Sequence, residues 1–444
     1  LSLIFSGIKP IIDFGWMMTL GLLVSLTVTF TLLPAVLNLL SNSTTNYSNE
    51  NKSKITNYLS RVAQKNTKTI FASTILVIFV SIAGISKLEV ENSFINYFDK
   101  KTEIYKGMKL IDEKLGGTTP LSVIIKFPRK EEVKDEDDEF ENWDDDEKDD
   151  SKYWFTRNKI DKITEVHEYL DSLEGVGKVI SFASMVRVAE DLYGKKLEGL
   201  EMGILYTKIP ESIKKAVINP YISIKNDEAR INLRILDSQE NLRRNDLIKK
   251  INFDLENQLN LKPSEFKLAG VLILFNNLLQ SLFKSQILTL GVVMAGITLM
   301  FLILFRNITL SIIGVVPNFM AAFLILGIIG LLGIPLDMMT ITIAAITIGI
   351  AVDNSIHYIY RFKEEFKKIK NYNKTLEKCH NTVGVAILNT SITIIFGFSI
   401  LVLSNFIPTI YFGVFTGIAM LLALISVLTL LPKLILVIKP FGAE

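Results

Sequence analysis

The sequence predicts a polytopic α-helical membrane protein carrying one large soluble α+β domain, and three observations lead to that class. First, hydrophobic residues make up 49% of the 444 while 21% are charged, with a mean hydropathy of +0.35. The apolar residues are gathered into runs of about 20 rather than spread at helix or strand periods, as membrane-crossing helices require. Second, Lys and Arg concentrate in particular short loops. Third, one long stretch between two runs alternates strand-like and helix-like segments.

The runs, in order, are Phe14–Leu37, Thr69–Ile85, Gln286–Phe305, Ile308–Leu331, Met338–Tyr360, Val383–Leu403 and Thr409–Val437. Leu1–Ser6 reads as the tail of an eighth, so the chain is expected to continue upstream. Val271–Phe283 is apolar but short, and Asn276, Asn277, Gln280 and Lys284 interrupt it, which predicts an amphipathic helix leading into the next span. The implied organisation is 1–37 as the end of a first transmembrane half, 38–68 as a cytoplasmic linker and 69–86 as the first span of a second half. Residues 87–285 then form the soluble domain and 286–438 a five-span bundle.

Orientation follows from positive charge in short loops. Asn38–Lys68 carries Lys52, Lys54, Arg61, Lys65 and Lys68 against Glu50 alone, and Arg361–Lys378 carries seven basic residues. Threading the spans alternately puts these loops, Arg306 and Lys433 on the cytoplasmic side. The loops Gly333–Asp337 and Ser404–Pro408 hold no Lys or Arg and fall outside, together with 87–285.

The chain also repeats itself. Leu1–Pro34 aligns without gaps on Ser399–Pro432, matching Ser6 with Ser404, Pro10 with Pro408, Gly15 with Gly413, and Thr31–Pro34 with Thr429–Pro432. Coincident Pro, Gly and Ser at fixed offsets exceed what shared apolar composition gives. The repeat has one orientation, which implies two parallel halves.

In the outside region, Leu121–Phe127 and Gly177–Ser181 read as strands flanking a helix whose Ile160, Ile163, Val166, Tyr169 and Leu170 recur at helical spacing. After a mostly helical insert, Ala229–Leu236 alternates as a strand, Leu242–Leu259 is an amphipathic helix and Glu265–Ala269 a last strand. The order β-α-β, insert, β-α-β predicts a ferredoxin-like layer of helices on a sheet. The acidic stretch 130–152 lacks the loop glycine and spaced acids of a calcium loop, so it reads as a solvated insertion.

Chemistry concentrates on the span around Asp353. Gly349, Asp353 and His357 are four residues apart and share one helix face. A carboxylate inside a bilayer is costly and is by default a functional residue, which makes Asp353 a candidate proton carrier with Asn354 beside it. His357, near the cytoplasmic end, reads either as a relay partner or as an interfacial residue. The next span offers Asn389, Thr390, Ser391 and Thr393 at a matching depth, ~13 Å from the cytoplasmic end at ~1.5 Å per residue. For Thr390 and Thr393, helix packing and proton relay stand as equal readings. Gly314, Gly327, Gly330 and Gly333 on or beside one span, and Gly349 and Gly397 on the next two, suggest close helix approach, a reading that stands equal with glycine being simply common in membrane helices. Neither His380 nor His167 has ligand-spaced neighbours, so no metal is expected. Cys379 is alone and forms no internal disulfide, and a net charge of +2 gives no case for nucleic acid.

These residues resemble the resistance-nodulation-division (RND) superfamily, most closely its MMPL-type and hopanoid-carrier-like exporters. The resemblance rests on Gly349-x-x-x-Asp353, on the Asn389–Thr393 patch with Gly397, and on Pro408…Phe412-Gly413…Leu431-Pro432. It covers nearly the whole chain. It implies an RND-type helix bundle of two six-span halves, each with a periplasmic domain, and proton-driven export of hydrophobic or lipid-like molecules across a bacterial inner membrane. No cofactor beyond the proton gradient is implied, and no enzyme. The implied partners are membrane lipids, a lipid-like substrate and the first transmembrane half of the same protein, with a monomer or a homodimer favoured over a trimer. The chain departs from the family pattern at Asn354, where an acid or Tyr often stands. A Patched-like, sterol-sensor-like receptor that binds lipid without pumping is the rival reading.

Overall fold

A computed structural model describes residues 9–39, 53–91, 95–128, 154–239, 242–337 and 339–442. The truncated span expected at Leu1–Ser6 and the acidic stretch 130–152 lie outside the described residues. The chain begins with helices α1 (Lys9–Leu39), α2 (Lys54–Lys65), α3 (Thr67–Ile85) and α4 (Glu103–Lys114), then strand β1 (Thr119–Lys126). There follow α5 (Arg157–Asp171), β2 (Val176–Ile180), α6 (Phe182–Tyr193), α7 (Gly199–Lys208), the single turn α8 (Glu211–Ile213), β3 (Ile222–Ser223), β4 (Glu228–Ile235), α9 (Arg244–Asn257) and β5 (Phe266–Ala269). The last helices are α10 (Val271–Phe305), α11 (Ile308–Leu331), α12 (Ile343–Ile369), α13 (Tyr372–Asn381), α14 (Val383–Ser399) and α15 (Ile407–Ile438). Two compact units result, Leu1–Asn92 with Leu278–Glu444, and Ser93–Asn277.

Seven helices in the described residues are long and apolar enough to cross a membrane. In the first unit the closest backbone approach joins α3 to α11. A Cβ placed on Gly84 would lie 1.9 Å from the Gly327 carbonyl oxygen, and one on Gly330 would lie 2.0 Å from that of Gly84. Glycine is therefore obligatory at this crossing, where small residues let dispersion forces act between backbones. Several hydroxyls in the spans bond back to their own helices, as Ser81 Oγ does to the Val77 carbonyl (2.7 Å), which satisfies the donor in an apolar medium, whereas the buried hydroxyls of Thr347 and Thr416 have no hydrogen-bond partner. Between α10 and α11 the chain reverses in two residues. Arg306 adopts φ 49°, and the Asn307 side chain accepts from the Leu310 N–H to cap α11 (3.2 Å).

Three expected boundaries need correction. The amphipathic helix at Val271–Phe283 and the span at Gln286–Phe305 are one helix, α10, of 35 residues. Asn276, Gln280 and Lys284 recur every fourth residue, so they make a polar stripe on a continuing helix rather than a break. The basic segment after Tyr360 is helical too. α12 runs on to Ile369 because Phe362 and Phe366 bury against Tyr372 at the start of α13. The loop read as a linker contains α2, whose Thr56, Ser60 and Ala63 are buried.

The second unit is a sheet with helices on one face. Its strand order is β2-β4-β1-β5, with β3 beside β4 and every pairing antiparallel. Leu121, Val123 and Ile125 of β1 and Ala229, Ile231, Leu233 and Ile235 of β4 point to one side. They form a core with Ile160, Ile163, Val166 and Leu170 of α5 and Leu247, Ile251 and Leu255 of α9. The two-residue alternation on the strands and the helical spacing on α5 are what bring these side chains to one layer. A buried polar network holds the unit's edge. Asp112 accepts from Thr118 Oγ1 (2.7 Å), Asp237 N–H (3.0 Å) and Ser238 N–H (2.8 Å). Asp237 in turn accepts from Arg244 Nε (2.9 Å) and the Ile95 N–H (3.2 Å). Burial alone would push the Asp112 carboxyl up, but the hydrogen bonds from Ser238, Thr118 and Asp237 hold it below its ordinary value.

Candidate functional site

α12 packs chiefly on α11 and α15, and this leaves one of its faces uncovered. Gly349, Asp353 and His357 lie on that face, all three exposed. The Asp353 side chain is 72% exposed and its Oδ1 stands 3.3 Å from His357 Nε2, one turn on. The sequence places these residues on one stripe, and the structure brings the last two into contact. A Cβ at Gly349 would meet nothing within 4 Å, and the same holds at Gly397. Neither glycine abuts another described helix, and close helix approach occurs instead at Gly84, Gly327 and Gly330.

The polar patch on α14 divides. Ser391 is buried and accepts a hydrogen bond from Asn354 Nδ2 (3.3 Å), so the α12–α14 link runs through Asn354 rather than through Asp353. Asn389, Thr390 and Thr393 are exposed. Thr390 donates to the Ile387 carbonyl (3.1 Å) and Thr393 to that of Asn389 (2.9 Å), so each hydroxyl is engaged on its own helix.

Two residues that sequence reasoning did not connect hold the acid's helix from behind. Asn318 Nδ2 donates to Ser355 Oγ (3.0 Å) and to the Gly314 carbonyl (2.9 Å), all buried. Pro317 has no N–H, which loosens the backbone of α11 at this point. The neighbouring amide uses that place to grip α12 two residues after Asp353. The signal was the pair Pro317-Asn318 inside an apolar span.

Further along, His380 is structural. Its Nε2 faces the Leu428 carbonyl (2.9 Å) and its Nδ1 the Tyr358 hydroxyl (3.1 Å), tying α13 to α15 and α12. Burial holds its imidazole below the ordinary value. Cys379 beside it is buried, and burial, together with the Glu365 carboxylate, pushes its thiol up to about 12. That thiol stays protonated and unreactive. Among the described residues no group of three or more His, Cys, Asp or Glu side chains gathers as a metal site.

Glycine-crossed apolar helices long enough to span a membrane, one of them bearing an uncovered acid–imidazole pair, and a separate α+β unit define a multi-span membrane protein. The chain belongs to the MMPL family, whose sequence profile it matches over residues 164–443. Membership implies an RND-type transporter of lipid-like substrates rather than an enzyme. It is also similar to a protein of Methanocaldococcus jannaschii described as a membrane protein, MJ1562, at 25% identity over 404 residues. That alignment covers 85% of this chain and 93% of the relative.

Proposed function

We propose that this chain is the energy-coupling half of a proton-driven exporter that moves hydrophobic or lipid-like molecules out of the plasma membrane. One observation carries the reading: a carboxylate within contact of an imidazole on an open face of a membrane-spanning helix. An ionised acid facing lipid costs about 2.5–3.5 kcal/mol even on the most lenient scales. Such a face is expected to be covered by protein. The sequence repeat supports a cover by the first transmembrane half of the same protein, whose last span would be α1. A second copy of the chain is the other candidate.

Covered in this way, Asp353 alternates between neutral and ionised states, and His357 exchanges its proton with the cytoplasmic side. The Asn354–Ser391 bond and the Asn318–Ser355 bond link α12 to α14 and α11. Through them the change of charge biases two arrangements of the bundle. Asn389, Thr390 and Thr393, with Gly349 and Gly397, line the path on which a partner bundle closes. The basic loops support a reading in which residues 87–285 lie on the periplasmic or outer side. The strand order and antiparallel pairing of that unit support the ferredoxin-like reading. The unit also holds an apolar cavity of 130 Å³ lined by Phe155, Phe182, Met185, Met202 and Tyr206 among others. Soft, adaptable thioethers beside aromatic rings suit an irregular apolar substrate.

The test is reconstitution of the full-length protein in liposomes with an imposed pH gradient and a panel of fluorescent amphipathic compounds. Wild type is expected to move a compound and to dissipate the gradient together. Asp353→Asn abolishes both while the protein remains inserted and monodisperse. Wild-type movement in that variant overturns the reading. Compound binding without proton flux in the wild type means a lipid receptor of the Patched-like kind.

A further inference from the structure

A groove of 330 Å³ runs between α3, α11 and α15 and is closed at one end by α2. Its volume lies within the range of small-molecule sites, about 300–1,000 Å³. Val62, Thr69 and Ser73 line one side, and Leu324, Ile425 and Thr429 the other. Two of its hydroxyl-bearing lining residues present little free polarity, because Ser73 Oγ donates to the Ile70 carbonyl (2.8 Å) and Thr429 Oγ1 to that of Ile425 (2.6 Å). No residue of α12, α13 or α14 lines it, so it is separate from the Asp353 face.

The mouth of the groove has the opposite chemistry. α2 and α3 meet at Asn66, and Thr69, which lines the groove, stands one residue past Lys68. Arg61 and Lys65 are four apart and flank Val62, another lining residue. Arg61, Lys65 and Lys68 are all exposed, none forms an ion pair among the described residues, and no Asp or Glu occurs from Ser53 to Leu88. α2 is also fixed in place. The Lys433 ammonium on α15 donates to the Gln64 carbonyl (3.2 Å), and the Gln64 amide reaches the Asn373 carbonyl (3.5 Å).

We propose that this groove is a seat for one anionic phospholipid, its acyl chain lying between α3 and α15 and its phosphate held by Arg61, Lys65 and Lys68. The three unpaired cations stand where α3 leaves the apolar layer, which is the depth of a headgroup. Basic residues at a span's end attract anionic lipid even without a groove. The groove turns that diffuse attraction into a site of one. A free phosphate would satisfy the cations but leave the apolar trough empty, and a zwitterionic lipid would fill the trough but place its own cation among three others. The inference does not depend on proton coupling or on the direction of transport.

The experiment is native mass spectrometry of the full chain in mild detergent, supplied with equal amounts of phosphatidylglycerol and phosphatidylcholine bearing the same acyl chains. One phosphatidylglycerol is expected to remain bound, at roughly ten-fold over phosphatidylcholine. Combined Arg61→Gln, Lys65→Gln and Lys68→Gln brings the two lipids to parity. Ser73→Phe fills the groove from an exposed position and leaves the cations intact. It lowers retention about five-fold or more, and Ser426→Phe does the same from the opposite wall. Millimolar inorganic phosphate leaves the bound lipid in place. Equal retention of the two lipids by wild type overturns the proposal, as does retention indifferent to both groove-filling variants. Displacement by inorganic phosphate would make the site one for a free anion. A dimer that Ser73→Phe breaks would make a second copy the occupant.

Discussion

Two aspartates, one in each unit, show how differently the same carboxylate is treated. Asp112 in the α+β unit has no exposed surface, and three hydrogen bonds meet its oxygens. Asp353 on α12 is open, and His357 is its one neighbour within ion-pair distance among the described residues. Asp112 is fully solvated by protein, so its charge is fixed and it serves only to hold structure. Asp353 stands on an uncovered helix face with a single side-chain partner within ion-pair distance among the described residues. The contrast teaches that in a membrane bundle the informative acid is the one with too few partners.

The largest effect expected from that contrast is on activity. Asp353→Asn should remove gradient-driven transport with no measurable loss of thermal stability in detergent, whereas Asp112→Asn should leave transport per folded molecule intact. Reversed outcomes would break the comparison. The next largest effect is on stability. Asp237→Ala strips Arg244 of its buried partner, and breaking such a pair costs about 3–5 kcal/mol. Thermal unfolding followed by circular dichroism, or by protease accessibility of the α+β unit, should report it.

Glycines sharpen the point. A Cβ at Gly327 would lie 2.7 Å from the Ser81 Cα, so Gly327→Ala should cost about 1–3 kcal/mol through the overpacked crossing. Gly349→Ala meets open space and should leave the stability of this chain within about 0.5 kcal/mol of wild type. The smallest effect concerns pH. The Asp112 carboxyl is held below its ordinary value in the folded protein, so the stability it contributes is present above pH ~3.9. It is lost as pH falls through the lower folded value. Unfolding midpoints of wild type should therefore drop as pH is lowered below ~3.9, and those of Asp112→Asn should drop less.

Much of this was legible in the sequence, and for physical reasons. Spans announce themselves because lipid forces about 20 apolar residues into one run. Asp353 is conspicuous because a charge in such a run is expensive. The strands of the α+β unit could be read from their alternation, which maps directly onto one buried face. What stayed hidden depends on pairing between distant segments. Asn318 and Ser355 each look like an ordinary packing residue in a span, and only the crossing of α11 and α12 brings them to 3.0 Å. Likewise the glycines of α11 name no partner, since Gly84 lies more than 200 positions away in the chain. At α10 the amphipathic lead-in was legible, but not that it and the span form one unbroken helix of 35 residues.

The crossing of α3 and α11 has a mechanical consequence. With carbonyl oxygens against bare Cα atoms at Gly84, Gly327 and Gly330, there are no side-chain rotamers at the contact to absorb a slide or a twist. The two helices behave as a keyed joint that transmits rotation without backlash. Any rocking of the bundle during a cycle carries α3 along with α11 as a single lever. α12 meets its neighbours differently, through rotamer-bearing side chains such as Ile348, Val352 and Ile359 together with hydrogen bonds from Asn318 and to Ser391.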